Sequence, residues 1–196
     1  MKNYTLIALS LFSFVVLLSS CGSDDDPPIE NPEEIITDVT LTFTPTGGGS
    51  AITATAKDPD GDGPQDLEVV SAINLQASTT YTLTITLLNA IENEDVTEEI
   101  EDESDDHLFF FAWTGNIFTN PSGNGNADNR ADPVNYNDED TGGLPLGLST
   151  EWTTGDASSG NTFRVVLKHQ PKLKTSTSTV NDGESDIDLT WDINIQ

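Results

Sequence analysis

The segment Asp58-Pro59-Asp60-Gly61-Asp62-Gly63-Pro64-Gln65-Asp66 sets four carboxylates at relative positions 1, 3, 5 and 9 around turn-forming glycines. Alternate residues of a tight loop aim their oxygens at one centre, and a backbone carbonyl near Pro64 can add another. Calcium takes about six to eight oxygens at about 2.3–2.6 Å, so Asp58, Asp60, Asp62 and Asp66 are candidate calcium ligands. Without a cation, carboxylates crowded this way repel one another at physiological pH. The competing reading is a polar hairpin turn, because Asp-Gly is a common turn pair.

A second kind of metal chemistry could come from the histidines. His107 follows Glu103, Asp105 and Asp106 and opens an aromatic run, while His169 continues the phase of Phe163, Val165 and Leu167. Histidine with carboxylates is a donor set for zinc or copper, provided the fold brings the two together. Otherwise each makes ordinary hydrogen bonds at a strand end. Among the tryptophans, Trp113 is in phase with Phe109 and Phe111, and Trp191 with Leu189 and Ile193, which marks both as core. Trp152 remains the candidate exposed platform for a glycan or other small ligand. The residues Asp128, Asp132, Asn135, Asn137, Asp138 and Asp140 form a long polar stretch whose spacing matches no metal motif; it reads as a solvated loop.

The Asp58–Asp66 spacing resembles the DxDxDG calcium loops of dockerin and thrombospondin type 3 repeats. It departs from the EF-hand at the twelfth position, which is Val69, with Glu68 beside it. A site lacking the closing bidentate glutamate would bind weakly, in the range of extracellular calcium. Catalytic signatures are missing. There is no Gly-x-Ser-x-Gly elbow and no phosphate-binding Gly-Lys-Ser/Thr loop, and the lone cysteine is not free to serve as a nucleophile. The expectation is a non-catalytic protein.

The lone cysteine has another use. Lys2 precedes an apolar run from Leu6 to Leu18, interrupted only by Ser10 and Ser13, and small residues follow. This is the layout of an export signal over residues 1–20, too short to span a bilayer, which needs about 20 apolar residues. Leu18-Ser19-Ser20-Cys21 resembles the lipobox of bacterial lipoproteins, which implies a diacylglycerol on Cys21 and cleavage before it. Residues 21–35, rich in Asp, Glu and Pro, cannot bury a core and read as a solvated linker. An acidic cluster after the lipidated cysteine resembles the surface-export signal of Bacteroidota lipoproteins. That resemblance implies an outer-membrane anchor, facing the cell exterior, and an outer-membrane receptor or small ligand as partner.

The chain carries 34 acidic and 7 basic side chains, a formal charge of −27, and loses a further positive charge with Lys2. Such a surface repels nucleic acid and anionic headgroups and attracts cations. Residues 36–196 are enough for one well-buried domain. Its runs alternate with period two: Val39, Leu41 and Phe43 against threonines; Tyr81, Leu83, Ile85 and Leu87 likewise; then Ile187, Leu189, Trp191, Ile193 and Ile195. About eight strands are expected, near 37–45, 51–57, 68–75, 79–89, 107–118, 146–153, 162–170 and 186–195. The fold class is all-β, an antiparallel immunoglobulin-like β-sandwich. Leu108 to Trp113 is apolar on both faces, so it must run centrally or lie under a loop; Glu92 to Asp106 can form a short helix.

The lipobox, the Asp-Pro-Asp-Gly-Asp-Gly loop and the strand ending Lys168-His169-Gln170-Pro171 are together similar to small Bacteroidota lipoproteins labelled "type 1 periplasmic binding fold superfamily". A fold of that name needs two α/β lobes and about twice this length, so the sandwich stands as the expectation. The expected function is a surface-exposed, lipid-anchored binding module with a structural calcium loop. The alternatives are a transition-metal capture or delivery protein using His107 and His169, and a glycan-binding protein using Trp152.

Overall fold

In the computed structural model, which describes residues 34–58 and 67–196, the alternating runs become strands of two packed sheets. Strands β1 (Asp38–Pro45) and β5 (Thr80–Leu88) pair antiparallel, with Val39 opposite Leu87, Leu41 opposite Ile85 and Phe43 opposite Leu83. The same register aligns Thr40 with Thr86, Thr42 with Thr84 and Thr44 with Thr82 on the other face. Period two therefore sorts an oily face from a threonine face, and β-branched threonine suits the outer one.

The first sheet continues with β2 (Ile52–Lys57), β3 (Glu68–Val69), β7 (Phe118–Asn120), β8 (Asn135–Tyr136) and β9 (Ser149–Thr154). Its order is β3-β2-β1-β5-β9-β7, with β8 also on β9. The second sheet holds β4 (Ile73–Leu75), β6 (His107–Trp113), β10 (Ser158–His169) and β11 (Glu184–Ile195), in the order β4-β11-β10-β6. All named pairings are antiparallel except β4 with β11. The inner faces meet in one core of aliphatic and aromatic side chains from both sheets. A short helix, α1 (Val96–Asp102), lies within the acidic stretch and buries Val96 and Ile100.

Two runs that read as single strands are each divided between the sheets. Residues 68–75 form β3 in one sheet and β4 in the other, and residues 107–118 form β6 and the start of β7. Gly115, with a φ of +72°, lies in the second crossing and takes a conformation open to glycine.

Strand β6 is the edge of its sheet, and a loop covers it. Phe109 N donates to Leu146 O, Phe111 N to Asn126 Oδ1 and Trp113 N to Asn124 O. On the acceptor side, Phe111 O takes Ala127 N and Phe109 O takes the Tyr136 hydroxyl. This explains the doubly apolar run: Leu108, Phe110 and Ala112 form a second small core with Val166 and Ala127 under the loop. The loop approaches so closely at Gly125 (φ +98°) that a Cβ there would lie 2.1 Å from Phe111 O. Gly125→Ala is expected to cost about 2 kcal/mol through that clash and the left-handed backbone, measurable by urea unfolding; a change below about 0.5 kcal/mol would contradict it.

Candidate metal centre

β6 begins at His107 and β10 ends at His169, and their antiparallel register makes the two histidines direct cross-strand partners. Their rings stack with centroids 4.8 Å apart and planes 10° from parallel. Each continues the inward phase of its strand, after Leu167 in one and before Phe109 in the other. They therefore cap one end of the core; His107 is fully buried and His169 is 3% exposed. The backbone packs closely here too, since a Cβ on Gly183 (φ +76°) would meet His169 O at 2.1 Å.

Helix α1 brings acidic groups to the same end. Asp95 caps it by accepting from Thr97 N, its apolar pair anchors it, and Glu99 and Glu103 fall four residues apart on one face. A carboxylate oxygen of Glu103 and one nitrogen from each histidine all lie within 4.8 Å of one another.

The proton on His107 can be located. Its Nδ1 is 3.1 Å from the Glu103 carbonyl, which can only accept, so Nδ1 carries the hydrogen. Nε2 is then a bare lone pair. It is buried, makes no hydrogen bond among the described residues, and has Asp186 Oδ2 3.8 Å away. Burial lowers the His107 pKa to about 4, with the Glu103 bond pulling the other way, so the ring is neutral near pH 7. A neutral imidazole oriented by a carbonyl is the form that binds metals. With bonds of about 2.1 Å, two ligands of one metal sit about 3.4 Å apart in a tetrahedron and about 4.2 Å apart when opposite. The separation of 3.8 Å lies between those limits.

Asp186 reaches this position through a bulge. Alternation from Ile187 and Leu189 would point residue 186 outward. The β10–β11 register instead slips between the pairs Leu167–Ile187 and Lys168–Ser185, and Asp186 turns inward to 1% exposure. Glu34 is also turned in, at 8% exposed, and shares a hydrogen bond with Glu99. Burial first, then the charges of Glu99, Glu103 and Asp186, raise its pKa to about 8. Lys174 stands alongside, its Nζ 2.8 Å from Asp140 Oδ2 and 2.7 Å from Ser104 O.

Of the residues singled out from sequence, His107 and His169 are thus brought together. Trp152 is a correction: it is fully buried and offers a sugar no face. Even positions of β9 point inward, Leu148 shares that phase, and the indole nitrogen donates to Thr150 Oγ1 at 2.7 Å. Asp58 follows β2 and donates its backbone N–H to Thr37 O at 2.8 Å. Asp60, Asp62 and Asp66 lie outside the described residues, as does Cys21. Of the 128–140 carboxylates, Asp132 accepts from Asn124 N and Asn129 Nδ2 and Asp138 from Gly147 N and Ser149 N, while Asp128 pairs with Arg164 and Asp140 with Lys174.

Sequence reasoning missed Asp186, Glu34 and Glu99. The four-residue spacing of Glu99, Glu103 and His107 was a usable signal for the second of two acidic turns leading to the histidine. Asp186 had none, because a bulge is invisible to strict alternation. At the opposite end of β6 and β10, a cleft of about 800 Å³ is lined by Asn116, Phe118, Thr153 and Asn161, with Asp156 the one ionisable group among the described residues that line it. Comparison of the chain with protein-family models, curated proteins and solved structures gave no match in any of the three.

Proposed function

We propose that this chain is an exported, lipid-anchored module that captures or delivers a divalent transition metal of the zinc class. The candidate ligands are His107, His169 and Glu103, whose donor atoms lie within 4.8 Å of one another, with Asp186 Oδ2 3.8 Å from His107 Nε2. The observation that carries this is the His107 Nε2 lone pair, buried without a hydrogen bond among the described residues and facing a carboxyl oxygen 3.8 Å away. A buried imidazole nitrogen without a hydrogen bond is unfavourable until a donor or a cation meets its lone pair. Plain hydrogen-bonded histidines would account for Nδ1 and leave Nε2 unexplained.

The donor chemistry narrows the metal. The chain's one cysteine and one methionine, Cys21 and Met1, precede the sandwich, so the site offers nitrogen and oxygen only. Imidazole and carboxylate suit zinc better than cuprous copper, which prefers sulfur. The acidic surface would raise the local cation concentration, and lipid on Cys21 would keep the module beside an outer-membrane receptor.

Thermal melts of the purified full chain test this. Zinc at about a hundredfold its Kd should stabilise by about 2.7 kcal/mol, or about 5–10 °C for a chain of this size. The His107→Ala, His169→Ala double variant should lose that rise. A wild-type melt indifferent to zinc would sink the proposal. A calcium arm at matched ionic strength, with Asp60→Ala as control, reports separately on the 58–66 loop.

A further inference from the structure

Three stretches of chain meet around Gly155, just past the end of β9, and shape the cleft at the end of the sandwich away from the histidines. Gly155 N donates to Ile117 O at 2.8 Å, and Gly155 O accepts from Ser78 N at 3.1 Å. The Thr154 hydroxyl donates to Gln76 O at 2.7 Å and accepts from Thr79 N at 2.9 Å. A Cβ on Gly155 would lie 2.9 Å from Asn116 O, so glycine is what lets the 115–117 crossing pack this closely. Ser78, at the cleft wall, takes a left-handed φ of +53°, a strained form that tends to be kept where a site needs it. The cleft is therefore built into the fold and does not wait for a ligand to form it.

Its lining is unlike the rest of the surface. In a chain with 34 acidic and 7 basic side chains, the described residues that line the cleft include one ionisable group, Asp156. The others are hydroxyls, amides, small residues and one ring. Several of the polar groups are unspent: among the described residues, the side chains of Ser78, Asn116, Ser122 and Asp156 make no hydrogen bond. Asn161 donates its side-chain N–H to Ser158 Oγ at 3.1 Å, which leaves its Oδ1 as an acceptor. That amide lies against Gly115, where a Cβ would come within 2.2 Å of Oδ1, so its position is fixed. Phe118 supplies the ring, 6% exposed, with Trp113 and Trp152 behind it at 5.5 and 4.8 Å between centroids.

We propose that this cleft is a binding site for a neutral saccharide, separate from the metal site and independent of it. Other ligand classes meet the wrong chemistry. An anion finds no lysine or arginine in the described lining, and a calcium ion finds one carboxylate where it takes about six to eight oxygens. An apolar ligand finds the edge of one ring, whereas sites for such ligands are lined mainly by apolar and aromatic groups. A sugar fits what remains, because each hydroxyl both donates and accepts. Asp156 and the Asn161 oxygen accept from it, Asn116 does both, and a C–H face of the sugar rests on Phe118. The volume of about 800 Å³ falls within the range of about 300–1,000 Å³ common for small-ligand sites. Trp152 enters only as the ring beneath Phe118.

The test uses the purified full chain as wild type, Asn116→Ala, Asp156→Ala and the double histidine variant. Asn116 and Asp156 are exposed and make no side-chain hydrogen bond among the described residues, so both variants should melt within about 2 °C of wild type. An array of neutral and anionic glycans, read in EDTA, should show wild type retaining neutral glycans and not anionic ones. Calorimetry with the best-retained neutral glycan should then show Kd rising about three- to tenfold in Asn116→Ala and at least about tenfold in Asp156→Ala. It should stay within about twofold in the double histidine variant, and between about 0.05 and 0.5 M salt, since the ligand carries no charge. Retention of no neutral glycan by wild type would overturn the proposal. So would a preference for anionic glycans, or a neutral glycan bound equally well by both cleft variants. Glycan binding intact in a protein that ignores zinc would remove the metal reading and leave this site standing.

Discussion

Trp152→Ala lowers the stability of the sandwich by about 4 kcal/mol, among the largest single losses expected in this chain. The indole joins the sheets. Its ring centroid lies 4.8 Å from Phe118 in its own sheet, and 5.4, 5.3 and 5.2 Å from Phe111, Trp113 and Phe163 in the other. Several of these contacts are edge-to-face, the geometry aromatic quadrupoles favour. Truncation removes that packing, leaves a cavity between layers, and takes the indole donor from Thr150. Guanidinium unfolding measures the loss directly. A drop below about 1 kcal/mol would mean that the cavity collapses and the ring is not a keystone. Zinc affinity of the folded fraction should be unchanged, because Trp152 touches none of the proposed ligands.

The second large effect concerns the ion pair beside the site. Lys174 and Asp140 are 1% and 3% exposed at their side chains and 2.8 Å apart, and Asp140 Oδ1 also accepts from Gly142 N and Leu144 N. Asp140→Ala strands a buried ammonium against the Ser104 carbonyl, at a cost of about 3 kcal/mol. Lys174→Met combined with Asp140→Leu should recover much of it, since neither charge is then left alone. The pH dependence has a definite sign. Burial raises the Asp140 pKa, but the Lys174 bond and the backbone donors outweigh it, so the folded value is below the ordinary carboxylate range. A depressed folded pKa adds stability that is full above the unfolded value and is lost as pH falls through the folded one. The gap between wild type and Asp140→Ala should accordingly be widest near pH 7 and shrink towards pH 3. A gap independent of pH would show that Asp140 acts by packing alone.

Much of the architecture was legible because local pattern and tertiary burial agree. The threonine–aliphatic runs at 39–43 and 81–87 fold as alternation dictates, and the acidic stretch holds its helix at Val96–Asp102. Legibility failed where one strand serves two sheets, as at 68–75, since alternation does not report a change of layer. It failed at Trp152 for a different reason: the phase of Leu148 was on the page, but threonines and Glu151 made β9 look like surface. The histidine site was half legible. Each histidine could be placed at a strand end, yet their meeting depends on a pairing 62 residues apart along the chain, which only the β6–β10 register supplies. Asp186 and Glu34 were illegible because a bulge and a buried acid both break the local rule, and local rules tend to break at sites under functional strain.

The loop over β6 has a bearing on how copies of this protein tolerate one another. A bare strand edge is a template on which a neighbouring chain can add a strand. Here the outward N–H groups of Phe109, Phe111 and Trp113 are already spoken for by residues 124–126 and 146. That flank gives an incoming chain nothing to extend. Loosening the cover, as Gly125→Ala would, should therefore show up as self-association before it shows up as loss of fold.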